Sequence, residues 1–129
     1  MKKGLIATLL LAVVVLTGCS TATSATNMEA TAFSQKVSES GVITLDVRTP
    51  GEYMTGHIQG AINIDVEGTE FETEIAKLDK IQTYAIYCKS GRRSSIAVET
   101  MQSAGFNKLF NLTNGIQDWQ AQNLPIVKS

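Results

Sequence analysis

The chain has 129 residues, 43% of them hydrophobic and 18% charged, with a formal charge of −1. That length supports one hydrophobic core and leaves no room for a second. The slight excess of acid argues against nucleic acid or another polyanion as partner.

In chain order the first feature is MKKGLIATLLLAVVVLTGC, residues 1–19. It has a basic start, a run from Leu5 to Leu16 that is apolar except for Thr8, and small residues before a cysteine. This is the pattern of an export signal. A membrane-spanning helix needs about 20 apolar residues, and Thr17 and Gly18 interrupt the run before that. The ending LTGC resembles the lipobox of bacterial lipoproteins, which implies cleavage after Gly18 and a lipid on Cys19. Ser20, rather than an aspartate, then favours the outer membrane in a cell with two membranes. Without Lys2 and Lys3, nine basic residues face twelve acidic ones, a formal charge of −3. Residues 20–28, STATSATNM, carry no charge and no apolar period and read as a flexible spacer of roughly 15 to 18 Å. The expected division is a signal at 1–18, a lipidated cysteine and spacer at 19–27, and a folded domain at 28–129.

The domain alternates helix and strand. Residues 28–39 place Met28, Phe33 and Val37 at helical spacing, with Asn27 as N-cap and Gly41 as terminator. VITLDV, residues 42–47, is a buried strand. Thr49, Pro50 and Glu52 form a capping box opening a short helix that ends at Gly56. AINI, residues 61–64, is a second strand. Thr69 and Glu72 repeat the capping-box spacing before a helix with Phe71, Ile75 and Leu78 on one face. TYAIY, residues 83–87, is a strand, residues 94–104 a helix ended by Gly105, and KLFNL, residues 108–112, a strand. After Thr113-Asn114-Gly115 a last helix carries Trp119, with Pro125 beyond its end. Repeated alternation with short connections predicts a parallel sheet covered by helices on both faces.

In such sheets, sites form at the carboxyl ends of the strands, and Cys88 directly follows TYAIY. Two cysteines in an exported chain ordinarily suggest one disulfide. A thioether on Cys19 would leave Cys88 a lone thiol, a liability in an oxidising compartment unless it has a job. Cys88 opens the loop Cys88-Lys89-Ser90-Gly91-Arg92-Arg93 ahead of a helix beginning near Ser94. Loop N–H groups can curl round the sulfur, Gly91 permits a positive φ, and the helix start adds unsatisfied donors. Lys89, Arg92 and Arg93 add positive potential, so the thiol is expected to ionise below its ordinary range. A cradle of this kind suits a thiolate, a persulfide or a bound oxyanion, and the physics does not choose among them.

CKSGRRS resembles the active-site loop of the rhodanese sulfurtransferases. Two further segments agree in order: LDVRTPGEYMTGHIQGAINID, residues 45–65, and NLTNGIQDW, residues 111–119. The likeness runs over about residues 28–127. One departure is Asn114, where the family has a second glycine; asparagine also tolerates a left-handed backbone. The resemblance implies a three-layer α/β/α fold around a mostly parallel sheet of about five strands. It also implies persulfide chemistry: Cys88 takes sulfur from a donor such as thiosulfate, sulfite leaves, and a thiol, cyanide or a thioredoxin-like protein accepts the sulfur. Lys89, Ser90, Gly91, Arg92 and Arg93 would hold the sulfur and attract the donor, with no cofactor and no metal. The small size of the domain, with one short active loop, is what suggests a monomer.

Asp46 and Arg48 flank the end of the first predicted strand and read as a polar network under the site. His57 is the only histidine. Lying in Gly-His-Ile, remote in sequence from Cys88, it reads as scaffold rather than base, and Ser94 as loop support. Trp119 reads as core, and Glu70, Glu72 and Glu74 as solvated surface. Two other classes stay open on the same fold. One is phosphoryl transfer or arsenate reduction, whose loops place five residues between cysteine and arginine. The other is a persulfide carrier or sensor that does not turn over.

Overall fold

The computed structural model describes residues 25–128. The signal at 1–18, the lipidation at Cys19 and the spacer up to Ser24 lie outside the described residues. The elements are β1 (Thr26–Met28), α1 (Ala30–Val37), β2 (Val42–Asp46), α2 (Pro50–Thr55), β3 (Ile62–Asn63), α3 (Phe71–Ile75), β4 (Thr83–Tyr87), α4 (Arg92–Ser103), β5 (Leu109–Leu112) and α5 (Gly115–Ala121).

The five strands form one sheet in the order β1-β5-β4-β2-β3, and every pairing is parallel. Side chains alternate along each strand, so the sheet has two apolar faces. Leu45, Val47, Tyr84 and Ile86 join Phe71 and Ile75 of α3 and Ala97, Val98 and Met101 of α4 in one core. Ala85, Tyr87 and Leu112 join Ala30 and Phe33 of α1 and Ile116 and Trp119 of α5 in the other. Trp119 is core, as its spacing from Ile116 predicts, and its indole N–H donates to the Pro125 carbonyl at 2.9 Å.

The order of the strands positions the site. From β2 the chain moves outward to β3, whereas from β4 it moves the opposite way to β5. The connections therefore diverge between β2 and β4 and leave a crevice at their carboxyl ends, where such sheets bind ligands. Asp46 and Tyr87 are register partners at that edge, and Cys88 follows immediately.

Four local expectations need correction. Residues 26–28, assigned to the spacer, are the edge strand β1: Asn27 pairs with Asn111 rather than capping a helix, and Glu29 holds the cap position of α1. An edge strand needs only backbone pairing, which a polar triplet such as Thr-Asn-Met supplies without an apolar signature. Thr69 and Glu72 do not form a capping box, because α3 starts at Phe71 with Glu70 in the cap position. The helix expected from Ser94 begins at Arg92. By contrast, the Thr49 hydroxyl does accept the Glu52 N–H, at 3.3 Å.

Candidate active site

The central strand β4 delivers Cys88 to the crevice, 1% exposed and a free thiol. The chain must then turn within a few residues to begin α4. Gly91 makes this possible at φ +101°, and an added Cβ there would lie 1.8 Å from the Thr113 carbonyl oxygen. Gly115 matches it across the gap, since its Cβ would come within 2.3 Å of the Lys89 carbonyl. The loop after β4 and the turn after β5 are thus packed backbone to backbone. Asn114 sits at φ −106°, ψ 11°, so its tolerance of a left-handed backbone is not used.

This packing decides which way the peptide groups face. The first turn of α5 donates Ile116 N–H to the Cys88 carbonyl at 2.9 Å and Gln117 N–H to the Lys89 carbonyl at 3.2 Å. The Gly91 carbonyl accepts from the Ser95 hydroxyl at 2.8 Å, the Ser94 hydroxyl at 3.2 Å and the Ser95 N–H at 3.2 Å. With these carbonyls bound elsewhere, amides turn to the sulfur: Gly91 N–H donates to Cys88 Sγ at 3.1 Å. Ser94 Oγ lies 3.5 Å from Sγ. As a thiol, Cys88 donates to that hydroxyl, whose own proton goes to the Gly91 carbonyl; as a thiolate, it accepts that proton in the carbonyl's place.

Burial pushes the Cys88 thiol up, but the Ser94 hydroxyl and the N–H groups of Ser94, Gly91 and Ser90 pull it further down, and it ionises below its ordinary value. The leading causes are dipoles rather than the side-chain charges the sequence suggested. Lys89 and Arg92 are exposed at the rim, as is Ser90. Arg93 does feel the Cys88 charge, but its fork is turned to Glu52 of α2, with Nη1 to Oε1 at 2.7 Å and Nη2 to Oε2 at 2.9 Å. The Arg93 hydrogen bonds bring the Glu52 carboxyl down to about 2, against the opposing push of burial.

Asp46 and Arg48 lie beneath this loop as a buried pair. Arg48 donates Nη2–H to Asp46 Oδ2 at 2.6 Å and to the Gly56 carbonyl at 2.7 Å. The Tyr87 hydroxyl donates to Asp46 Oδ2 at 2.7 Å and accepts Ile58 N–H at 3.0 Å. The Asn63 amide ties the Asp46 and Arg48 carbonyls together at 3.0 and 2.8 Å. This network joins the ends of β2, β3 and β4 and makes no contact with the sulfur. His57 packs against α2 instead. Its ring stacks on Tyr53 with centroids 3.7 Å apart, Nδ1 lies 2.9 Å from the Tyr53 carbonyl, and its backbone pairs with Val127. It braces α2, the helix that carries Glu52. In the sequence Glu52 and Asn63 stand out only as positions of the 45–65 likeness, Glu52 also as half of a capping box, and Tyr87 only as a strand residue; none of the three signals its partner at the site. Among the described residues no group of three or more His, Cys, Asp and Glu could hold a metal ion.

A lone cysteine at the end of the central strand of a parallel sheet, ringed by peptide N–H groups and a serine hydroxyl, defines a class of α/β domains that stabilise an anion at sulfur. Residues 29–122 match the rhodanese-like domain family, and the chain belongs to it. It is 40% identical over 89 residues to the putative sulfur carrier protein YrkF of Bacillus subtilis, covering 68% of this chain but only 47% of YrkF. With the thiosulfate sulfurtransferase PspE of Escherichia coli it shares 36% identity over 74 residues, 57% of this chain and 70% of PspE. A crystal structure of a rhodanese-related protein from Thermoplasma volcanium superposes with a TM-score of 0.72 at 30% identity, covering 81% of this chain and 99% of that one.

Proposed function

We propose that the protein is a sulfurtransferase that carries sulfane sulfur as a persulfide on Cys88. The observation that carries this reading is the peptide N–H of Gly91, 3.1 Å from Sγ, with the neighbouring carbonyls bound away. That geometry favours negative charge at one sulfur-sized point. The likeness to a relative named thiosulfate sulfurtransferase supports thiosulfate as donor.

The reaction has two displacements. The Cys88 thiolate attacks the outer sulfur of thiosulfate, the S–S bond of the donor breaks, and sulfite leaves with the bonding pair. The enzyme is left as Cys88–S–S⁻, whose terminal charge the N–H groups and the Ser94 hydroxyl stabilise. An acceptor nucleophile, cyanide or a thiolate, then attacks the terminal sulfur, giving thiocyanate or a new persulfide and regenerating the Cys88 thiolate. Neither step needs a separate general base, because the nucleophile is already ionised. Exposed Lys89 and Arg92 attract the anionic donor. Phosphoryl transfer fits less well, because the loop arginine that would clasp a phosphate is already held at both prongs by Glu52.

The likeness to a putative sulfur carrier supports a second reading, in which Cys88 loads once and waits for a protein acceptor. The proposal also includes the envelope setting: export directed by residues 1–18 and a lipid on Cys19 that tethers a monomeric domain to the membrane. Mass spectrometry of the intact soluble domain, before and after thiosulfate and then a thiol reductant, tests the chemistry. The expected result is one added sulfur on Cys88 that the reductant removes; a free, reactive thiol that gains none overturns the reading. Sulfite release beyond one equivalent with cyanide present separates enzyme from carrier. A Cys19→Ser chain that still partitions with membranes overturns the tether.

A further inference from the structure

Arg93 is the second residue of α4, between exposed Arg92 and buried Ser94. An arginine in this place, left free, would offer two parallel N–H donors matched to two oxygens of a tetrahedral anion. Instead, both donors meet the Glu52 carboxylate, and the side chains are only 14% and 31% exposed. Glu52 is itself fixed from α2: its N–H is capped by the Thr49 hydroxyl at 3.3 Å, and Oε1 lies 3.2 Å from that same hydroxyl. The arginine is therefore tied to a separate element rather than resting loosely over the loop. Meanwhile the Gly91 N–H addresses Sγ itself at 3.1 Å, a single atom rather than a set of oxygens. The cations left at the rim, Lys89 and Arg92, are exposed and attract anions only diffusely.

We infer that Glu52 is a specificity-determining residue that sets the oxyanion affinity of the site: by occupying both prongs of Arg93, it keeps the cradle selective for a sulfur atom and lets oxyanions go. The consequence for sulfite as a leaving product rests on the sulfur-transfer reading; the consequence for phosphate, an unreactive bystander, does not. Glu52 acts through Arg93 and touches no reacting atom. Its removal frees a cation that then holds thiosulfate, sulfite and phosphate alike, so substrate binding tightens while product release slows.

The test compares wild type, Glu52→Gln, Arg93→Ala and the double variant. Two quantities are measured: protection of Cys88 from iodoacetamide by inorganic phosphate, and kcat and KM with thiosulfate. In Glu52→Gln, phosphate is expected to protect at about ten-fold lower concentration, the size of one charge-assisted arginine contact. KM and kcat fall together, and sulfite inhibits more strongly. Arg93→Ala shows no gain in phosphate affinity, and in the double variant the gain disappears. Phosphate protection in Glu52→Gln no stronger than in wild type, or a gain that survives loss of Arg93, overturns the inference. A merely structural Glu52 would make Glu52→Gln and Arg93→Ala behave alike. Should Glu52→Gln fail to fold by circular dichroism, Glu52→Asp, too short to hold both prongs from the same backbone, gives the same comparison. Wild type that releases no sulfite removes the sulfur-transfer reading and leaves the phosphate measurement readable.

Discussion

Gly91 and Thr113 stand so close that a Cβ on the glycine would lie 1.8 Å from the threonine carbonyl oxygen. The contact joins the loop after β4 to the turn after β5 and orients the amide that faces the sulfur. Gly91→Ala must both accept φ +101° and separate two backbones. We expect a loss of about 3 kcal/mol or more in urea unfolding, since strain and overpacking act together. Persulfide formation will fall more steeply than stability. An alanine variant with unchanged stability and activity would show that the loop adapts without the glycine.

The Cys88 thiol ionises below its ordinary value because hydrogen bonds outweigh burial. The rate of alkylation by iodoacetamide is therefore expected to rise to its plateau below the pH at which an ordinary thiol does. The sign for stability follows from the same shift. A group whose folded value is depressed contributes stability that is fully present above its unfolded value and is lost as pH falls through the folded one. Wild type is thus expected to gain on Cys88→Ser as pH rises between those two points, and no further above them. Ser94→Ala removes the leading stabilising partner and is expected to move the alkylation midpoint up; an unmoved midpoint would assign the shift to the backbone alone.

How much of this was legible in the sequence depended on whether the signal was local. The run TYAIY and the glycine four residues after it placed Cys88 at a strand end in a tight loop, and the structure keeps both. The Glu52–Arg93 clasp spans 41 residues and exists only because β2 and β4 are register neighbours, which places the helices that follow them on one rim. No spacing rule reports such a contact. The three basic residues suggested one shared electrostatic role, whereas Arg93 is neutralised and Lys89 and Arg92 stand in solvent. Strand β1 was missed because its pairing is carried by backbone groups, and side chains such as Thr26 and Asn27 are exposed.

The Glu52 carboxyl lies at about 2, below its ordinary value of 4.5. Its pairing with Arg93 stabilises the fold above the ordinary value, and that contribution is lost as pH falls towards 2. With Glu52 31% exposed, solvent screening holds it to about 1 kcal/mol. Acid unfolding of Glu52→Gln against wild type measures it: the two curves are expected to differ at neutral pH and to converge in acid. A constant difference across that range would remove the ion pair as its cause.

The Tyr87 hydroxyl serves two buried partners at once, Asp46 Oδ2 and Ile58 N–H. Tyr87→Phe leaves both without it and is expected to cost about 1 to 3 kcal/mol. Asp46→Ala is more severe, about 3 to 5 kcal/mol, because it strands the Arg48 guanidinium, which is 5% exposed. Neither side chain touches the sulfur, so at temperatures where the variants remain folded the Cys88 alkylation midpoint is expected to stay in place. A shifted midpoint would promote the network from scaffold to part of the site.

Arg92 is exposed and one residue from the clasped Arg93, so its charge is free to act on an approaching anion. Arg92→Ala is expected to raise KM for thiosulfate several-fold and to leave kcat within about two-fold, the mark of an interaction equal in the ground and transition states. Because the charge stands in solvent, the effect depends on salt. The screening length shortens from about 8 Å at 0.15 M to about 3 Å at 1 M. The KM values of wild type and variant are therefore expected to converge as salt rises. A difference that persists in high salt would mean that Arg92 makes a close, directed contact with the donor. It would then belong with Gly91 and Ser94 among the groups that converge on the sulfur, rather than at the exposed rim.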